Sequence, residues 1–179
     1  MFISGCTNIQ NGQNNVSNVP QGTGITDITP HNDAQRVSLR EAINALNSTE
    51  ITVTNSSEAF DIRYILGKSL DANGTARVWA IGLQKGSSAF FFMYSTNGSQ
   101  ILKWNDGLPE SSINPNKIIQ PGELFLQNQA LIQNITSGGK TDIEEIEVKG
   151  DIYAITIRSE SGPKEYNFDA STGKAILTQ

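Results

Sequence analysis

A regular hydrophobic pattern first appears at Val37. Before it, residues 7–35 are rich in Asn, Gln, Gly and Thr, with isolated Ile and Val and neither a helical nor a strand period. Such a stretch buries too little apolar surface to offset the entropy of ordering it, so residues 1–36 are expected to form a disordered tether. Ser38-Leu39-Arg40-Glu41 then has the spacing of a capping box. In that motif the Ser oxygen accepts from the Glu backbone N–H while the Glu carboxylate accepts from the Ser N–H. Leu39, Ala42, Ile43 and Leu46 follow at helical spacing and predict a helix ending near Asn47. The β-branched run at 51–54 has no assigned role.

A strand period takes over at Asp61. Residues 61–70 read as a strand with Ile62, Tyr64 and Leu66 on one face, and Asp71-Ala72-Asn73-Gly74 as a turn. Residues 78–83 form a second strand and 89–94 a third, apolar on both faces; after an Asn97-Gly98 turn comes a last strand at 100–104. Pro109, Pro115 and Pro121 punctuate residues 105–122, which read as a linker. A second helix is expected after Pro121, with Glu123 in its first turn, Leu124, Leu131 and Ile132 buried, and Phe125 alongside. Gly138-Gly139 ends it. Strands are then expected at 143–148, 152–158, 165–168 and 174–177, with Ile146 and Val148 inward and Glu145, Glu147 and Lys149 in water.

The two halves repeat this order. Val78 to Leu83 aligns with Ile152 to Ile157, Phe91 to Tyr94 with Tyr166 to Asp169, Gly98 with Gly173, and Ile101-Leu102 with Ile176-Leu177. A matched glycine after the third strand has a physical reason, because a turn that needs a positive φ costs glycine nothing. The expected fold class is therefore α+β: after the disordered N-terminal tether come two tandem modules, 37–104 and 123–179, each one helix packed on a small antiparallel sheet.

Residues Ile152 to Ile157 and Lys164 to Leu177 resemble the end of a PepSY domain, with an aromatic-rich strand, Asp169, small residues, Thr172-Gly173, a polar residue and an apolar pair. The first copy departs from that pattern, with Tyr94 where the Asp would stand and Asn97 in place of the Thr. The resemblance implies tandem PepSY-like modules. It also implies a binding or regulatory role toward a protein partner, with an exported peptidase as the partner class, and no chemistry.

Composition narrows the rest. In 179 residues, charged types make up 17% and the formal net charge is −5, with no run of basic residues. A nucleic-acid partner, which needs a clustered basic face, is not expected. The single cysteine, Cys6, excludes an intramolecular disulfide. Phe2-Ile3-Ser4-Gly5-Cys6 resembles the end of a lipoprotein signal, where an apolar residue and two small residues precede the lipid-bearing Cys. The charged and apolar regions of such a signal are not in the sequence, so on this resemblance translation is expected to start upstream or the sequence to begin within the signal. An ordinary free thiol is the alternative reading. As a coil of about thirty residues, the tether would lift the folded part roughly 30 Å from a lipid surface.

The one histidine, His31, lies in the tether, where no general base is held in place. No catalytic, cofactor-binding or metal-binding residue is assigned, and the chain is expected not to be an enzyme. Glu144, Glu145 and Glu147 read as a solvated face, and Asp71, Asn73 and Gly74 as a turn, because the later ligands of a calcium loop are missing. Sequons place possible glycans at Asn73 and Asn97, both on expected turns; unmodified turn residues are the alternative. The expected function is a non-enzymatic extracytoplasmic protein, lipid-anchored to the membrane through Cys6, that binds or regulates a protein partner. Edge strands of small sheets suit that role, since they accept an extended peptide as an added strand. A structural or assembly component of the cell envelope is the second expectation, and a carboxylate-dependent hydrolase the third.

Overall fold

The computed structural model describes residues 35–49, 60–136, 143–159 and 162–176. Cys6, His31, the rest of the tether before Gln35 and the 51–54 run lie outside the described residues. The first helical stripe forms α1 (Leu39–Ser48), which buries Leu39, Ala42 and Leu46. Its capping box closes as expected: Glu41 N–H donates to Ser38 Oγ at 3.2 Å, and Ser38 N–H donates to the Glu41 carboxylate at 2.7 Å. The backbone and hydroxyl of Ser38 hold that carboxyl below its ordinary range.

Four strands follow, β1 (Asp61–Leu70), β2 (Val78–Lys85), β3 (Ser88–Ser95) and β4 (Gly98–Trp104). After a connection come α2 (Pro121–Gln127), α3 (Gln129–Thr136), β5 (Ile143–Lys149), β6 (Ile152–Ser159), β7 (Gly162–Asp169) and β8 (Ala175–Ile176). The second helix, expected to be continuous, is broken at Asn128, whose φ of −107° and ψ of 23° leave helical geometry. The Asn128 amide donates to Leu124 O and Gly173 O, each at 2.9 Å, so the break is tied to the turn before β8.

The expected division into two tandem helix-on-sheet modules is corrected by the sheet. Among the described residues there are eight strands, and they form one antiparallel sheet in the order β4-β3-β2-β1-β5-β6-β7-β8. The seam is β1 against β5, with Ile65 opposite Val148, Leu66 opposite Glu147, Gly67 opposite Ile146 and Lys68 opposite Glu145. Two separate modules would each leave their first strand as a bare edge and divide the apolar residues between two marginal cores. Joining them pairs those backbone groups and pools the interior. Ile65, Trp79, Ile81, Phe90 and Phe92 share one buried cluster with Ile146, Val148, Tyr153, Ile155 and Phe168, capped by Leu39, Leu124 and Phe125 from the helices.

The opposite face of the sheet is apolar on one side of the seam and charged on the other. Leu66, Val78, Ala80, Phe91 and Met93 are buried there, with Tyr64, Trp104 and Leu108 packed against them. Ile62 does not join Tyr64 and Leu66 on this face, because the register slips between Ile62 and Tyr64. That bulge sends Ile62 to the helix side. Beyond the seam, Glu145 and Glu147 are half-buried where solvent exposure was expected. The connection after β4 passes from this face to the helix side. Ile113 N–H donates to Ile62 O at 2.7 Å, Ile119 N–H to Ala170 O at 2.9 Å, and Tyr153 Oη to Ile119 O at 2.7 Å.

Candidate functional site

The site forms where the β1–β2 turn meets the first turn of α2. Asp71 Oδ1 accepts the backbone N–H groups of Asn73 and Thr75 at 3.0 and 2.9 Å, which folds residues 71–75 into a tight loop. Desolvation raises the Asp71 pKa, but the hydrogen bonds from Thr75 and Asn73 and the nearby Arg36 charge outweigh it and leave the carboxyl below its ordinary range. The loop then touches α2 backbone to backbone. A Cβ on Gly74, whose φ is +73°, would lie 2.5 Å from Gly122 N; a Cβ on Gly122 would lie 2.7 Å from Asn73 O. Gly122→Ala therefore tests the contact without the complication of a positive φ. It is expected to cost about 1–3 kcal/mol, because a backbone carbonyl must move away. The check is a lower urea midpoint at an unchanged slope.

Between this turn, α2, α3 and the start of β5 lies a cleft of about 610 Å³, within the usual range for ligand pockets. Leu70, Phe125, Ile132 and Ile143 give it an apolar floor. Polar groups of Arg36, Asp71, Asn73, Gln129 and Gln133 form its rim. Arg36, assigned by sequence to the end of the tether, is held in place, with its Nε donating to Ser69 O at 3.0 Å. The neighbouring Val37 bridges Ala76 through two backbone hydrogen bonds of 2.8 and 2.9 Å. Leu126, on the lip, is 73% exposed.

Of the residues singled out by sequence, Asn73 lies on the rim of this cleft and is exposed, while Asn97 is exposed in the turn leading into β4. The acidic residues do not converge. Glu144 pairs with Arg158 at 2.6 Å, Glu145 with Lys68 at 3.3 Å and Glu147 with Lys149 at 2.8 Å. Glu147 also accepts the Tyr64 hydroxyl. Burial, then that hydrogen bond and the Glu147 and Glu145 charges, push the Tyr64 pKa up. Among the described residues no group of three or more His, Cys, Asp or Glu side chains is placed to hold a metal ion.

The residues that carry the PepSY resemblance build a turn. Asp169 Oδ1 accepts the hydroxyls and backbone N–H groups of Thr172 and Ser171, at 2.7 to 3.1 Å. The Thr172 and Ser171 hydroxyls, followed by the backbone donors, hold its pKa down to about 2. Gly98 and Gly173 both take positive φ, +113° and +70°, as their matched turn positions anticipate.

The cleft itself is not apparent in the sequence. Its residues come from four separate stretches of chain, and Leu126 was the one local signal, an apolar residue one position beyond the predicted buried stripe of its helix. Among the described residues no helix is long and apolar enough to cross a membrane.

No protein-family model and no curated protein matches the chain, so the PepSY resemblance rests on the residues quoted for it. Among solved structures, the crystal structure of a putative lipoprotein from Clostridium difficile 630 is similar with a TM-score of 0.52 and 14% identity. The match covers 83% of this chain and 95% of that one. At that identity the likeness is one of fold.

Proposed function

We propose that this chain is a lipid-anchored, non-enzymatic protein of the cell envelope that binds an exported protein partner through the cleft beside α2 and α3. The observation that carries the reading is Leu126, an apolar side chain left 73% exposed at the lip of a cleft with an apolar floor and a fixed arginine. An exposed apolar anchor beside an apolar pocket with a polar rim is a surface that a partner desolvates at a protein-binding hot spot. Support for the anchor comes from Phe2-Ile3-Ser4-Gly5-Cys6, which resembles a lipoprotein signal end, and from the fold shared with the putative lipoprotein of Clostridium difficile 630. An exported peptidase is the first partner class to test, because the Asp169 to Leu177 segment resembles the closing segment of PepSY domains.

The test compares the wild-type chain with Leu126→Asp as bait in envelope extracts of the host, followed by titration of any recovered partner. Leu126→Asp removes the apolar anchor and places a charge at a surface the partner would desolvate. The expected result is one partner whose affinity for the variant is at least about tenfold lower, equivalent to ~1.4 kcal/mol. Equal recovery of one partner by both baits would overturn the assignment of the cleft as its binding surface, and recovery of bulk surface material alone would turn the reading toward a scaffolding role.

A further inference from the structure

We infer that β4 is a self-recognition edge, on which a second copy of this chain adds its own β4 antiparallel and extends the sheet across a twofold axis. The sheet ends at β4, a seven-residue strand with an unbroken register against β3. Gly98, Ser99, Gln100, Leu102 and Lys103 are exposed, and Leu102 is 41% accessible. Natural edges are protected by proline, bulges, extreme shortness, charged side chains (Lys above all) or a covering helix or loop. Here β4 has no proline, no bulge and one charged residue, Lys103. At the other end of the sheet the described part of β8 comprises two residues.

Side-chain alternation decides which partner fits. Gln100, Leu102 and Trp104 share the face of Met93, Phe91 and Ala89, while Ser99, Ile101 and Lys103 share the face of Tyr94, Phe92 and Phe90. An antiparallel copy centred on Ile101 uses all seven residues. It sets Ile101 against its twin, Gln100 against Leu102, Ser99 against Lys103 and Gly98 against Trp104. Every pair is compatible, and the aliphatic stem of Gln100 covers the exposed Leu102. The two Lys103 ammonium groups are then four residues apart along the seam, roughly 13 Å at ~3.3 Å per residue. That exceeds the ~8–10 Å over which exposed charges act at physiological salt. A register centred on Lys103 would bring the like charges directly opposite each other. The full-length register is thus also the one that separates the charge. This surface lies three strands from β1 and the cleft, so the inference is independent of the partner reading.

The experiment is sedimentation equilibrium on the full chain, unlipidated, comparing wild type with Ser99→Lys and Ser99→Glu. Ser99 is exposed, so neither change threatens folding, and far-UV circular dichroism checks that. Each substitution acts twice across the twofold axis, opposite Lys103. The wild type is expected to show a monomer–dimer equilibrium, with a dissociation constant raised about tenfold by Ser99→Lys and lowered by a similar factor by Ser99→Glu, the scale of two cross-strand charge pairs. A wild-type chain that stays monomeric at every concentration, or a dimer equally stable in all three proteins, would overturn the inference.

Discussion

Replacing Trp79 with Ala is expected to destabilise the whole sheet by about 4 kcal/mol, toward the upper range of core truncations. Trp79 is completely buried, and its Nε1 donates to Val37 O at 2.9 Å. The same carbonyl accepts from Ala76, so the indole also fastens the segment leading into α1. The substitution therefore opens a large cavity and removes a buried hydrogen bond together. It leaves Trp104, which packs edge-on against Phe91 at 5.0 Å, as the remaining tryptophan. Urea titrations can then follow Trp104 fluorescence for the β4 side and far-UV circular dichroism for all strands. Both signals are expected to shift to the same lower midpoint, because the core crosses the seam. Separate midpoints for the two probes would argue against one cooperative unit.

Gly67→Ala is expected to cost about 2–3 kcal/mol although it adds one methyl group to a strand. A Cβ at Gly67 would lie 2.5 to 2.9 Å from three atoms of the Trp79 indole. The two residues are cross-strand partners, and Gly67 faces Ile146 on its other side. The indole thus lies over β1 at the seam, filling the space where the two halves meet. In a chain already carrying Trp79→Ala the clash disappears, and the lower flexibility of Ala should make Gly67→Ala neutral or favourable by roughly 0.5 kcal/mol. The double-mutant cycle is therefore expected to give a coupling of about 2–3.5 kcal/mol, against a few tenths for independent sites. Additive effects would mean that the indole can move aside at little cost.

Much of the secondary structure was legible because its causes are local. The capping box at Ser38 and Glu41, the stripe of Leu39, Ala42 and Leu46, and the bounds of β1 follow from propensity and periodicity over a few residues. Alternation likewise put Ile146 and Val148 inside. The misplacement of Ile62 relative to Tyr64 has a different origin: a bulge adds one residue to a strand without any local sign, and the side-chain phase reverses beyond it. The division of the second helix depended on Asn128 finding Gly173 O, 45 residues away. The cleft was invisible because its wall, floor and rim come from residues that only packing brings together, and Arg36 reads as tether until Ser69 O is found to hold it.

Periodicity, turn residues and composition by themselves determined which segments become helices and strands, and they limited the titratable chemistry through one His and one Cys. Tertiary structure decided that β1 and β5 pair, so that two sets of described strands became one sheet whose larger core spans the seam. The physical reason is the reach of the forces involved. Helix caps and side-chain alternation act within a few residues, whereas an unpaired strand edge and an underfilled core are satisfied by whatever surface fits, however distant in sequence.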